Sequence, residues 1–180
     1  MKRRDLLRAA GAATALSFLP RDAEAAWARI AAGYRAAEGL TAAQRSLVGG
    51  IADVIFPRTD TPSATDVGVT DWVDLIAAEY YDENVRAMLV AGLNAIDAQV
   101  RSRSGRPFAE LDADAQREIV GGLDAPADRS TVEARTYSRL KGLVVHGYFT
   151  SQRVEREVLR VRTVYPKFDG AADHRPGAAR

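Results

Sequence analysis

Apolar residues recur at intervals of three and four through most of the chain, the period of an amphipathic helix rather than a strand. Thr41 and Gln44 have capping-box spacing, and Leu47, Val48, Ile51 and Ile55 follow on one face, so a helix is predicted until Pro57 stops it. The stretch 57–69 does not fit the period; it is rich in Pro, Thr, Asp, Ser and Gly and reads as a long ordered loop. Thr70 is placed to cap the next helix, with Trp72, Val73, Ile76 and Tyr80 on a common side. The most regular pattern covers about 84–100, where Val85, Met88, Leu89, Leu93, Ile96 and Val100 keep the helical step throughout. Gly105 and Pro107 mark a break over 102–108. Asp112 is the expected cap of a short helix bearing Ile119, Val120 and Leu123, whose end the Gly121-Gly122 pair weakens. Ser130 or Thr131 opens a last long helix with Tyr137, Leu140, Val144 and Tyr148 on one stripe. Beyond Gly147 the pattern allows either a further helix over 154–161 or an extended arm. The stretch 165–180 holds Pro166, Gly170, Pro176 and Gly177 and reads as an irregular tail. No period-two run of strand length occurs. The prediction is an all-α fold, a single compact helical domain of five or six helices with long ordered loops and an irregular C-terminal tail.

The first 25 residues have a different pattern. Met1 to Arg4 is short and basic, 9–19 is an uncharged Ala-rich run, and Ala23-Glu24-Ala25 supplies small residues at the two positions a signal peptidase reads. The apolar run is too short to span a bilayer. Arg3-Arg4, followed by Asp5, Leu6, Leu7 and Arg8, has the form of a twin-arginine signal, with a plain secretory signal as the alternative. The expected organisation is a twin-arginine signal peptide over 1–25 and a helical domain over 26–180, which places the mature protein in the periplasm. The twin-arginine route carries cargo that folds before it crosses.

Composition narrows the chemistry. The 180 residues are 47% hydrophobic and 27% charged, a globular balance large enough for one real core. There are no cysteines, which excludes disulfides, thiolate-held iron–sulfur clusters, Cys-based zinc sites and a Cys nucleophile. The net charge of +1 divides into +2 over the first 25 residues and −1 over the rest, so the body lacks the basic surface that nucleic acid requires. Arginines outnumber lysines 22 to 3, a bias compatible with an interface and equally with genome composition.

No residue set announces catalysis. There is no Gly-x-Gly-x-x-Gly after a strand and no phosphate loop, so the chain is not expected to hold FAD or NAD by itself. The Gly49-Gly50 and Gly121-Gly122 pairs sit in helical patterns and are read as permitting close helix approach or loosening a turn. Of the two histidines, His146 lies beside an apolar stripe and is expected to be a satisfied, partly buried residue rather than a ligand; His174 lies in the tail. Glu155 and Glu157, two residues apart, do not share a helix face. No serine stands in a Gly-x-Ser-x-Gly elbow. No catalytic, cofactor-binding or metal-binding residue is assigned.

The loop is the unusual piece. Thr59, Asp60 and Thr61 can bond their own backbone, Pro57 and Pro62 fix the ends, and Asp66 and Gly68 form a second turn. Arg58 and Asp60 are close enough in sequence to pair at the surface, for little stability. The loop is either a well-organised connection or a surface presented to a partner or ligand.

The run from Ala52 to Ala64, centred on Pro57-Arg58-Thr59-Asp60-Thr61-Pro62, resembles the gluconate 2-dehydrogenase subunit 3 family, the small subunits of FAD-dependent sugar or glycoside dehydrogenases. Val67-Gly68-Val69, Gly147-Tyr148-Phe149-Thr150-Ser151, Tyr165-Pro166-Lys167-Phe168-Asp169-Gly170 and the twin-arginine start look like that family too. Ser63 departs from it, standing where many members have Gly, and the Arg-rich 153–162 segment is not matched to it. The resemblance implies a non-catalytic small subunit. Its partner is a large FAD-binding catalytic subunit of the glucose–methanol–choline type, which oxidises a sugar, sugar acid or glycoside. The small subunit stabilises that partner and escorts it through the twin-arginine translocase, and electrons pass on to a cytochrome c or another acceptor. Pro57, Arg58, Thr59, Asp60, Thr61 and Pro62 are then candidates for one partner-interface patch and Tyr148 and Phe149 for a second, with Arg3, Arg4, Leu6, Leu7, Ala23 and Ala25 carrying the export signal. Two other readings stay open on the residues alone: a free-standing periplasmic α-helical small-molecule binding module, and a free-standing exported helical enzyme.

Overall fold

Side-chain caps set most of the helix starts. In a computed structural model of the chain, which describes residues 23–33 and 39–160, α1 is Ala23–Ala31 and α2 is Ala42–Ile55. The α2 capping box forms as its spacing predicts: Gln44 N donates to Thr41 Oγ1 at 3.3 Å, and Thr41 N donates to Gln44 Oε1 at 3.0 Å. A loop with one 3₁₀ turn, Thr65–Val67, leads to α3, Val69–Glu79. Asp82 caps α4, Glu83–Ser104, by accepting from Val85 N at 2.9 Å, and Asp112 caps α5, Ala113–Asp124, through Ala115 N at 2.9 Å. Thr131 caps α6, Val132–Thr150, through Ala134 N at 3.2 Å. A last turn, Gln152–Val154, runs on into a wider π turn at Glu155–Leu159. Among the described residues there is no strand, so the all-α prediction holds.

Two boundaries differ from the sequence reading. Helix α3 starts after Gly68, which sits at φ 82, and Thr70 falls inside its first turn instead of capping it. The preceding 3₁₀ turn delivers the chain directly into helical geometry, and the left-handed step between them suits glycine. Helix α4 runs four residues past Val100, to Gly105 at φ 71. Helix α5 carries Ile119, Val120 and Leu123 as expected and continues through Gly121 and Gly122 to Asp124.

Helix α6 is the axis of the molecule, and every other helix packs on it. It is buried on two faces, with Ala134, Tyr137, Leu140, Val144 and Tyr148 on one stripe and Thr136, Leu143 and Gly147 on another. Its crossing with α4 is close enough that a Cβ on Gly92 would lie 1.8 Å from Thr136 Oγ1. Gly49 and Gly50 also serve close approach, against Thr70 and Phe108, whereas Gly121 and Gly122 face open space. Segment 39–41 is tied to α3 by Asp74, which accepts from Leu40 N at 2.6 Å and pairs with Arg45.

Candidate functional site

The loop after α2 is built from reciprocal side-chain bonds. Ser63 N donates to Asp66 Oδ2 at 2.9 Å, and Asp66 N donates back to Ser63 Oγ at 3.3 Å, so the two residues box the 3₁₀ turn from both sides. Thr65 hands its N–H and its hydroxyl to Asp53 on α2, at 2.8 and 2.6 Å. Thr59 and Thr61 close the tip: Thr59 N donates to Thr61 O at 3.1 Å and Thr61 N to Thr59 Oγ1 at 3.3 Å. Serine at position 63 therefore has a specific task, because glycine there would remove one half of the box.

Arg58 does not pair with Asp60, as the sequence spacing suggested. The loop folds back so that its guanidinium meets Asp66, eight residues on, while Asp60 accepts from Thr59 Oγ1 at 3.0 Å. The Asp66 carboxyl is held below the usual carboxylate range, first by the Ser63 backbone N–H and then by the Ser63 hydroxyl and the positive charges of Arg58 and Arg153. Arg58 remains 73% exposed and its stem is open to contact. Pro57, Thr59 and Asp60 are exposed as well, Thr61 is half-buried and Pro62 is buried.

The structure brings the two predicted patches together. Tyr148, on the last turn of α6, donates from its hydroxyl to Pro62 O at 2.8 Å, a bond spanning 86 residues of sequence. Its ring stacks on Phe56 at 4.0 Å with the planes nearly parallel, and Phe149 meets both rings edge-on at 5.5 Å. Tyr148 is only 3% exposed. It offers no open face of its own and acts as the strut behind the loop; Phe149 is half-buried beside it.

Two residues earlier the same helix meets a second aromatic group. His146 lies 5.5 Å from Trp72, and Trp72 stacks on Trp27 of α1 at 5.2 Å. Trp27 Nε1 donates to Thr150 Oγ1 at 3.1 Å. His146 is partly buried as expected but not satisfied: its Nε2 and the Trp72 Nε1 have no hydrogen-bond partner among the described residues. Burial lowers the His146 pKa and favours the neutral ring. No cluster of three His, Asp or Glu side chains able to hold a metal occurs among the described residues. A shallow groove of about 260 Å³ between α4 and α6, lined by Met88, Val132 and Arg135, includes the first residue of α6, whereas the loop sits on its last turn.

Residues 42–166 match the family Gluconate 2-dehydrogenase subunit 3. The chain belongs to that family. The match opens at the first residue of α2 and takes in the braced loop and all of α6, while α1 stands outside it. Neither curated proteins nor solved structures give a match. Membership makes the chain a small subunit of a dehydrogenase complex, associated with a larger catalytic subunit that carries the cofactor.

Arg3, Arg4, Leu6 and Leu7 of the expected export signal lie outside the described residues, as do His174 and the tail motif 165–170. Ala23 and Ala25 are described, in the first turn of α1. Sequence reasoning missed α1, though Ala23, Ala26, Trp27 and Ile30 have helical spacing. Among the described residues no helix is long and apolar enough to cross a membrane.

Proposed function

We propose that this chain is the non-catalytic small subunit that binds, stabilises and escorts, through the twin-arginine route to the periplasm, a large FAD-dependent dehydrogenase of the glucose–methanol–choline type. The partner oxidises a sugar, sugar acid or glycoside, and electrons leave the complex for a cytochrome c or similar acceptor. The observation that carries this reading is the family match over 42–166. The Arg3-Arg4 start and its Ala-rich run support the route, because that pathway suits a protein that folds, here with its partner, before export. The braced loop supports the docking role. Its exposed Arg58, Thr59 and Asp60 stand on a frame of side-chain bonds, so little ordering is left to be done on binding.

The test is a pull-down of the tagged full-length chain from its native host, followed by an absorption spectrum of the eluate. A larger co-eluting protein with flavin bands is the expected result. A colourless, soluble, monomeric chain refutes the escort reading and moves the weight to a free-standing small-molecule binding module.

A further inference from the structure

The end of the expected leader is folded into the body. Helix α1 covers Ala23–Ala31, so Ala23, Glu24 and Ala25, and the bond from Ala25 to Ala26 that follows them, all lie in a helical turn. Ala26 has no exposure, and Ala23 and Ile30 pack against the core. Trp27 fixes the helix: it stacks on Trp72, donates to Thr150 at 3.1 Å, and lies over Gly68 so closely that a Cβ there would meet its ring at 3.4 Å. Arg29 adds an ion pair with Glu79 at 3.5 Å.

We propose that docking of α1 through Trp27 onto Trp72 and Thr150 shields the bond between Ala25 and Ala26, so that removal of residues 1–25 waits on undocking of α1. A protease reads its substrate as an extended strand whose backbone bonds to the enzyme, and a docked helix has already committed those groups. Cleavage therefore proceeds from the opened state, at a rate set by the population of that state. The proposal rests on the reading of residues 1–25 as an export signal; α1 lies outside the residues of the family match, whereas Trp72 and Thr150, on which it docks, lie inside them.

The test uses purified full-length chain and elastase, whose small specificity pocket accepts alanine. Intact mass measures how fast the species beginning at Ala26 appears. In the Trp27→Ala variant that rate is expected to rise by about ten-fold or more, as the opened population rises. Thr150→Val keeps the Trp27–Trp72 stack and removes the hydrogen bond to the indole, together with the bond that the Thr150 hydroxyl donates to His146 O at 2.8 Å within α6, and should give a smaller rise. Equal rates in wild type and Trp27→Ala overturn the proposal. If Trp27→Ala does not fold, hydrogen exchange of the wild-type amides 27–31 decides: protection upholds the dock, and exchange at the rate of an unstructured peptide refutes it. Failure of the export reading shows separately, as unchanged export of an Arg3→Lys/Arg4→Lys variant, and leaves the elastase rates untouched.

Discussion

Tyr148→Phe tests the strut behind the loop with the smallest possible change. The ring keeps its place against Phe56, 4.0 Å away, and only the hydroxyl that donates to Pro62 O is lost. Pro62 is buried, so its carbonyl oxygen loses a partner without gaining free access to water. Leaving a buried acceptor unpaired costs about 1–3 kcal/mol. A loss near the middle of that range, about 2 kcal/mol, lowers Tm by about 4–8 °C for a chain of this size. Urea unfolding followed by circular dichroism measures the change, and an unaltered m-value shows that it lies in the folded state. Hydrogen exchange locates it. The Ala64 amide, bonded to Phe56 O at 3.0 Å, and the Ser63 amide, bonded to Asp66, are expected to lose protection before the amides of α4. Tyr148→Ala removes the stack as well and is expected to cost about 3–5 kcal/mol. If Tyr148→Phe falls within about 0.5 kcal/mol of wild type, with loop protection unchanged, the hydroxyl does not hold the loop and the reasoning fails.

Gly92→Ala forces its new methyl against Thr136 and should destabilise by about 1–3 kcal/mol or more; Thr136→Ala rescues it only in part, because Thr136 Cβ itself stands 2.7 Å away, and a full rescue in urea titrations would refute the contact. Burial depresses the His146 pKa, so the unfolded chain takes up a proton there from about pH 6.5 downward before the folded chain does. Stability is then full above that pH and declines as pH falls toward the folded-state pKa; His146→Gln should flatten this decline in urea midpoints, and an unchanged slope would contradict it. Arg58→Ala should leave Tm close to that of wild type, because the guanidinium of its pair is exposed. If Arg58 belongs to the docking surface, the same variant recovers less large subunit in the pull-down, and undiminished recovery removes it from that surface.

What could be read from the sequence was local. The Thr41–Gln44 box, the Asp112 and Thr131 caps and the α6 stripe each depend on residues within a few positions of one another, and each forms as its spacing predicts. The loop was legible as ordered for the same reason, since Thr59 and Thr61 bond each other's backbone. What escaped was closure over distance. Arg58 turned from Asp60 to Asp66 because the 3₁₀ turn carries Asp66 back beneath the loop, and no periodicity encodes that. Tyr148 was a candidate for a second interface patch, separate from the loop, yet a residue 86 positions earlier takes its hydroxyl. Helix α1 was hidden because small residues that suit a peptidase also suit a helix, and only Trp27 meeting Trp72 decides that the segment docks.

These long-range contacts converge on one turn and a half of α6. His146 meets Trp72 of α3, Tyr148 holds Pro62 of the loop, and Thr150 takes the indole N–H of Trp27 on α1. Gly147, between them, lets the helix close on Trp72; a Cβ there would lie 2.5 Å from the indole ring. A short run of residues thus seats both the surface proposed for the partner and α1, which begins within the proposed leader. Such sharing has an energetic consequence. Residues in contact or with common partners do not respond independently to mutation, so a change at Gly147 is expected to loosen the loop and α1 together, whereas Tyr148→Phe and Thr150→Val each release one. Gly147→Ala should therefore deprotect both the Ala64 amide and the α1 amides in a single exchange experiment. Deprotection of only one of them would mean that the two segments are seated separately and that the end of α6 is not their common support.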